Sequence, residues 1–186
     1  MAERKRRTAL AAPETRGGRK MLTIRPLEEK DLSACLDIYN WYIENTTVTF
    51  EETPLSETEF SARVRRILAS YPYFAAELDG KLVGYAYLDC FNPRSAYRYT
   101  ADLSVYVDKN VHAAGVGTAL LKEIEQSAKK QGIRQIVSLV TSANEESRRF
   151  HERRGFRYVG RLEDVGWKMN TWLGVDFYQK DLKTIE

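Results

Sequence analysis

The segment Val105 to Leu121, V-Y-V-D-K-N-V-H-A-A-G-V-G-T-A-L-L, carries the residue order that most directly suggests chemistry. Leu103, Val105 and Val107 alternate as a strand does, and Asp108 to Asn110 break the alternation. Gly115 and Gly117 follow, and an amphipathic run then begins. A strand that turns through glycines into a helix builds an anion site. The first N–H groups of a helix lack intrahelical partners, and the aligned peptide dipoles place partial positive charge there. Glycine lets the main chain approach a phosphate with no Cβ between them. The dinucleotide fingerprint G-x-G-x-x-G fails, because Leu120 occupies its third glycine position, and the phosphate loop G-x-x-x-x-G-K-[ST] is absent. Taken alone, the glycine pair fits a helix entered through a flexible turn equally well.

The elements that must hold this turn follow from periodicity. Leu22, Ile24 and Leu27 form a first strand. Leu32, Leu36, Tyr39 and Ile43 then recur at helical spacing. Val48 to Thr53 is a loop with strand character. Ser56 with Glu59 makes a capping box for a second helix bearing Phe60, Val64, Ile67 and Leu68, which stops before Pro72. Tyr73 to Leu78 and Leu82 to Leu88 are hairpin strands across Asp79-Gly80. Cys90 to Tyr97 is irregular and leads into the strand that feeds the glycine turn. The third helix buries Val116, Leu120, Ile124 and Ala128 and ends at Gly132. Ile136 to Val140 reads as a central strand. Asn144 can cap a fourth helix ending at Gly155. Phe156 to Gly160 and Val175 to Leu182 are the last strands, across a loop with Gly166, Trp167, Trp172 and Gly174. The fold class is α/β (α+β), in the order β-α-α-β-β-β-α-β-α-β-β. It is a mixed, mostly antiparallel twisted sheet of about seven strands flanked by about four helices.

Composition narrows the classes. The chain has 186 residues and is 43 % hydrophobic, enough for one soluble domain with a sizeable core. Residues 1–20 hold seven Lys and Arg against two Glu, a charge of +5, whereas the whole chain carries +3. Residues 21–186 therefore carry −2, so bulk charge does not mark the folded body as a nucleic-acid binder. Residues 1–20 read as a disordered basic extension, with a nucleic-acid arm as the minor alternative. Cys35, Cys90, His112 and His151 have no zinc spacing, so no metal is expected, and so few thiols fit a reducing compartment. No hydrophobic run approaches the roughly 20 residues that cross a bilayer. The expected location is the cytoplasm, with no membrane partner.

The glycine turn, set between a long strand and a helix, resembles the GNAT superfamily of acyl-CoA N-acyltransferases. Its signature Gln/Arg-x-x-Gly-x-Gly/Ala stands here as His112-Ala113-Ala114-Gly115-Val116-Gly117, departing at the first position. Downstream, Asn144-Glu-Glu-Ser147-Arg-Arg-Phe150-His151-Glu-Arg-Arg-Gly155-Phe156 resembles the superfamily's Asn-x-x-Ala-x-x-x-Tyr-x-x-x-Gly-Phe helix, with His151 at the Tyr position. The segments Y-N-W-Y-I-E-N-T-T-V-T-F-E-E-T-P, P-R-S-A-Y-R-Y-T-A-D-L-S-V-Y-V and V-G-R-L-E-D-V-G-W-K-M-N-T-W-L are similar to the phosphinothricin N-acetyltransferase group, over Leu22 to Leu182. That resemblance implies a domain over residues 21–186, acetyl-CoA as co-substrate, and acetylation of the α-amine of phosphinothricin, methionine sulfone or methionine sulfoximine. It also implies a homodimer. Another small amine, a protein N-terminus or a non-catalytic acyl-CoA-binding module are the alternatives.

The resemblance also implies roles. Residues 112–118, ending at Thr118, would grip the coenzyme pyrophosphate through main-chain N–H groups. Val105 and Val107 would pair with the pantetheine amides, and the Val105 N–H would face the developing oxyanion. Asn144 and Ser147 would contact the pantetheine arm. Asp102, where the group commonly has Glu, would accept the ammonium proton, and His151 would protonate the leaving thiolate. Arg94 and Arg98 would hold the substrate's paired oxygens. Phe50, Tyr97, Trp167 and Trp172 would wall the pocket, with Lys168 touching substrate or phosphate. Each aromatic fits a core position equally well, and Asn144 a plain helix cap.

Overall fold

The computed structural model describes residues 21–111 and 115–182. Its elements are β1 (Leu22–Pro26), α1 (Leu32–Asn45), α2 (Glu57–Leu68), β2 (Tyr73–Leu78), β3 (Lys81–Cys90), β4 (Thr100–Val107), α3 (Val116–Lys130), β5 (Gln135–Thr141), α4 (Glu145–Arg153), β6 (Arg157–Lys168) and β7 (Thr171–Asp181). Short 3-10 turns stand at Glu29–Asp31 and Ser95–Tyr97. This is the element order read from the sequence. The basic extension lies outside the described residues, as do His112, Ala113 and Ala114.

One seven-stranded sheet runs β1-β2-β3-β4-β5-β7-β6. Every neighbouring pair is antiparallel except β4 with β5 at the centre. Two cores form, one on each face. On one face α1 and α2 pack Leu36, Tyr39, Ile43, Val64 and Ile67 onto Tyr73, Ala75 and Tyr85. On the other, Val116, Leu120, Ile124 and Ala128 of α3 pack onto Ala101, Leu103, Ile136 and Val140. The alternation of β4 divides its side chains between the two: Ala101, Leu103, Val105 and Val107 turn to α3, while Tyr106 turns to α1 and α2. Asp102 and Ser104 share the parity of Tyr106, so they join the α1–α2 face.

The capping box of α2 is present, with Ser56 accepting from the Glu59 N–H and Glu59 reaching back. Asp79 and Gly80 turn the β2–β3 hairpin at φ 52° and 81°, the left-handed pair that a two-residue turn requires.

The end of the chain differs from its reading as two short strands across a loop. Strands β6 and β7 have 12 and 11 residues and close on a tight turn at Met169-Asn170, with φ 50° and 59°. Trp167 and Trp172 are cross-strand partners rather than loop residues. The register slips between Tyr158 and Gly160 and between Leu162 and Gly166, which breaks the period-two signal that would have revealed one long strand.

Candidate active site

The parallel pairing of β4 with β5 is short. Thr100, Ala101 and Asp102 face Gln135, Ile136 and Val137, and beyond Asp102 the strands part while β5 continues on β7 as far as Thr141. The Asp108 N–H donates to the Val83 carbonyl at 2.8 Å, one step beyond the Gly84–Val107 pair. Antiparallel ladders bond every second opposite pair, so Tyr106, Ser104 and Asp102 bond to β3. Leu103, Val105 and Val107 therefore turn their N–H and C=O groups into the gap. Two contacts agree: the Leu103 carbonyl accepts from Ser138 Oγ at 3.5 Å, and the Val107 carbonyl from Tyr42 Oη at 2.8 Å. The gap thus presents strand-like main chain to whatever enters it, with the Val105 N–H among its donors.

Helix α3 begins at the open end of this gap. Gly115 is its N-cap at φ 70°, a left-handed conformation that suits glycine, and no side chain caps the helix. Both α2 and α4 carry two acids in their first turn, whereas α3 carries none. No acidic side chain of its own first turn offsets the positive pole of α3. Gly117 also has a packing reason to be glycine, beside the close phosphate approach its motif suggests. A Cβ there would meet Phe150 Cε2 at 3.3 Å and Val105 Cγ1 at 3.9 Å, so this glycine lets α3 press against α4. Thr118 Oγ1 accepts two bonds from Arg154, from Nε at 3.0 Å and Nη2 at 2.6 Å. Arg154 thereby adds a full positive charge to the first turn of α3. No motif singles it out in the sequence, where it is one of two adjacent arginines before Gly155. Asn144 caps α4 through Oδ1, which accepts from the Ser147 N–H at 3.1 Å. The cap role is therefore filled by its oxygen, and its amide nitrogen makes no hydrogen bond to a described residue.

On the α1–α2 face, Asp102 lies at the point where β4 leaves β5. Its Oδ1 is shut away from solvent with no hydrogen-bond partner. Burial pushes its pKa up to about 7, the Leu103 N–H works against the rise, and the Asp89 carboxylate adds to it. Asp89 sits opposite Asp102 in the ladder. Tyr87 sits opposite Ser104, and burial raises its phenol to about 12 while Ser104 draws it down. Next to them Tyr39, Phe60, Arg63, Tyr73, Tyr85 and Tyr87 line a cavity of about 10 Å³, room for one water. The Arg63 guanidinium pairs with Glu51 at 2.6 Å, tying α2 to the loop after α1. The sequence reading missed this tyrosine-rich wall. Its signal was the alternation Tyr85, Tyr87 beside Ser104, Tyr106, which places all four residues on one sheet face.

Other expected residues stand elsewhere. His151 lies on the opposite face, 4 % exposed, among Phe150, Phe156 and Tyr178. Its Nδ1 is 2.7 Å from the Ser147 carbonyl, so Nδ1 carries the proton. Nε2 is buried and unpartnered. Burial lowers the pKa, with the Ser147 carbonyl working the other way. This environment favours a neutral imidazole without a proton on Nε2, in contrast to the expected imidazolium donor. Lys168 is also buried, and its Nζ donates to the Thr49 carbonyl at 2.8 Å, with its pKa lowered by burial. It fastens the 46–53 loop rather than reaching outward to a ligand. Phe50 of that loop covers Gly166, where a Cβ would overlap its ring.

The residues expected to share one substrate pocket are split between two places in the chain. Arg94, Tyr97 and Arg98 are exposed in the loop before β4. There Arg98 lies 4.4 Å over the Tyr99 ring and donates to the Ser95 carbonyl, while Tyr97 packs edge-on to Phe91. Trp172 is exposed on the β6–β7 hairpin against Trp167, at the end of the sheet where β5 finishes. Among the described residues no cluster of three or more His, Cys, Asp or Glu side chains converges as a metal site would. No helix among them is long and apolar enough to cross a membrane.

Residues 24–174 match the acetyltransferase (GNAT) domain family. The chain belongs to this family. It is 38 % identical over 162 residues to a phosphinothricin N-acetyltransferase of Alcaligenes faecalis, covering 86 % of this acetyltransferase and 82 % of that protein. It is 34 % identical over 165 residues to an L-methionine sulfoximine/L-methionine sulfone acetyltransferase of Pseudomonas paraeruginosa, covering 86 % and 94 %. Among solved structures it resembles a phosphinothricin acetyltransferase of Sinorhizobium meliloti in complex with AcCoA. The TM-score is 0.83 at 33 % identity, covering 86 % of this acetyltransferase and 88 % of that chain.

Proposed function

We propose that this acetyltransferase moves the acetyl group of acetyl-CoA to the α-amine of an amino-acid analogue of the phosphinothricin or methionine sulfoximine and sulfone class. The observation that carries the reading is Asp102, a carboxyl group with one buried, unpartnered oxygen at the parting of β4 and β5, poised near neutrality. An α-ammonium must lose a proton before it can attack a thioester. A carboxylate whose pKa lies near 7 accepts that proton and holds it better than an ordinary Asp. Donors facing the gap, the Val105 N–H first, stabilise the oxyanion that forms on the thioester carbonyl. The amine nitrogen forms the new C–N bond, the C–S bond breaks, and the thiolate takes up the second proton that the nitrogen sheds as the amide forms. Gly115, Val116, Gly117 and Thr118, with Arg154 beside them, hold the coenzyme's phosphates at the positive pole of α3. Arg94 and Arg98 have the exposed guanidinium groups that suit a carboxylate or phosphinate.

A second copy of the chain is the expected partner. Helices α1 and α2 cover only the β1–β4 half of their face, and Leu139 and Leu162 on the β5–β7–β6 half are exposed. Light scattering should return twice the chain mass. The substrate assignment is tested by thiol release from acetyl-CoA in the presence of phosphinothricin, methionine sulfone, methionine sulfoximine and a peptide. Turnover with the first three and none with the peptide is expected; a reversed preference rejects it.

A further inference from the structure

Asp102 has a neighbour that its own chemistry does not require. Asp89 lies directly across the β3–β4 ladder on the same sheet face, and like charges facing each other across strands repel. Every oxygen of Asp89 is nonetheless engaged. Arg66 of α2 donates Nη1 to Oδ1 at 3.0 Å and Nη2 to Oδ2 at 2.7 Å, and the Cys90 N–H donates to Oδ1 at 2.7 Å. Burial would raise the Asp89 pKa, but Arg66 and the Cys90 N–H hold it below the ordinary carboxylate range. Asp89 therefore stays ionised beside a carboxyl group that is half-protonated near neutrality. Arg66 is largely exposed, and an exposed ion pair adds little stability. What the pair fixes is a charge and its place.

The other groups facing this position are few. Strand β3 adds Tyr87, and α2 adds Arg63, whose guanidinium is engaged by Glu51 and Tyr39. Helix α1 contributes Tyr39. Strand β5 sets the uncharged Val137 opposite Asp102. Arg94 and Arg98, in the loop before β4, form no ion pair with Asp102 or with any other described residue.

Building on Asp102 as the base, we infer that Asp89, clamped by Arg66, is a positioning residue that adjusts the charge state of Asp102 from across the ladder. The Asp89 carboxylate favours the protonated form of Asp102, and Arg66 limits that field. The clamp ties the base's readiness to the seating of α2.

The test follows the Asp102 side-chain carboxyl carbon by NMR pH titration in the full, ligand-free chain. Asp89→Asn removes the negative neighbour and should move the Asp102 midpoint down; Arg66→Gln uncovers that neighbour and should move it up. Each shift should be on the order of one pH unit. Arg66→Lys, which keeps the charge, should stay near the parent. Both main variants break the same bridge, so a merely structural disturbance would move Asp102 the same way in each. Shifts of one sign, or none, overturn the inference. The low-pH limb of turnover separates it from the base assignment. If the NMR midpoints diverge and the limb stays fixed, Asp89 does set the charge of Asp102, and it is the role of Asp102 as base that fails.

Discussion

Asp102, half-buried, and His151, buried, are both titratable and each keeps one buried, unpartnered polar atom, yet they sit on opposite faces of the sheet in opposite surroundings. Burial raises the carboxyl group and lowers the imidazole, so each is driven towards its neutral form. They differ in what stands beside them. Asp102 lies where two strands part, with a second carboxylate across the ladder. His151 is enclosed by three aromatic rings and spends its one proton on its own helix. Burial alone does not make a group reactive. A neutralised group becomes useful when the chain beside it opens towards a reactant.

Substitution should break this comparison cleanly. Asp102→Asn keeps the shape and removes the base, so turnover should fall by roughly 10²–10⁴-fold while coenzyme affinity, measured by calorimetry, is unchanged. Equal loss in both would make Asp102 structural. His151→Gln should lower turnover by less than about tenfold, because the parent imidazole offers no Nε2 proton to lose. A loss as large as that of Asp102→Asn would restore it as the acid.

Stability against pH sharpens the contrast. The folded pKa of Asp102 lies above its ordinary value of 3.8, so its contribution is complete below that pH and is lost as pH rises through about 7. Asp102→Asn should therefore gain about 1–2 kcal/mol relative to the parent at pH 8 and nothing near pH 3. The folded pKa of His151 lies below its ordinary value of 6.5, so its contribution is complete above 6.5 and is lost as pH falls from there through the lower folded value, and His151→Gln should flatten this slope. Urea unfolding across pH reads both. The smallest effect belongs to the 46–53 loop. Gly166→Ala must displace Phe50, and about 1–2 kcal/mol of stability should go with it.

The order of strands and helices was legible because periodicity and turn chemistry are local: Ser56 with Glu59, Asp79 with Gly80, and the alternation into Val107 each announce an element. The long β6–β7 hairpin was not, since two register slips hide the alternation of β6 and Met169-Asn170 is not a common turn pair. Within the candidate site, Asp102 and the α3 turn were singled out through the family resemblance carried by the residues around them in sequence. The fates of Lys168 and His151 depend on the Thr49 and Ser147 carbonyls, and burial beside those acceptors has no local signature. Arg154 and Asp89 matter through Thr118 and Asp102, partners 36 and 13 residues away along the chain.

The base role of Asp102 stands or falls on turnover of acetyl-CoA at saturating amine from pH 5 to pH 9, in the parent chain and in Asp102→Asn. The parent rate should climb through a midpoint near 7, and the much lower rate of the variant should lack that limb. The same limb in both, at comparable rates, would contradict it.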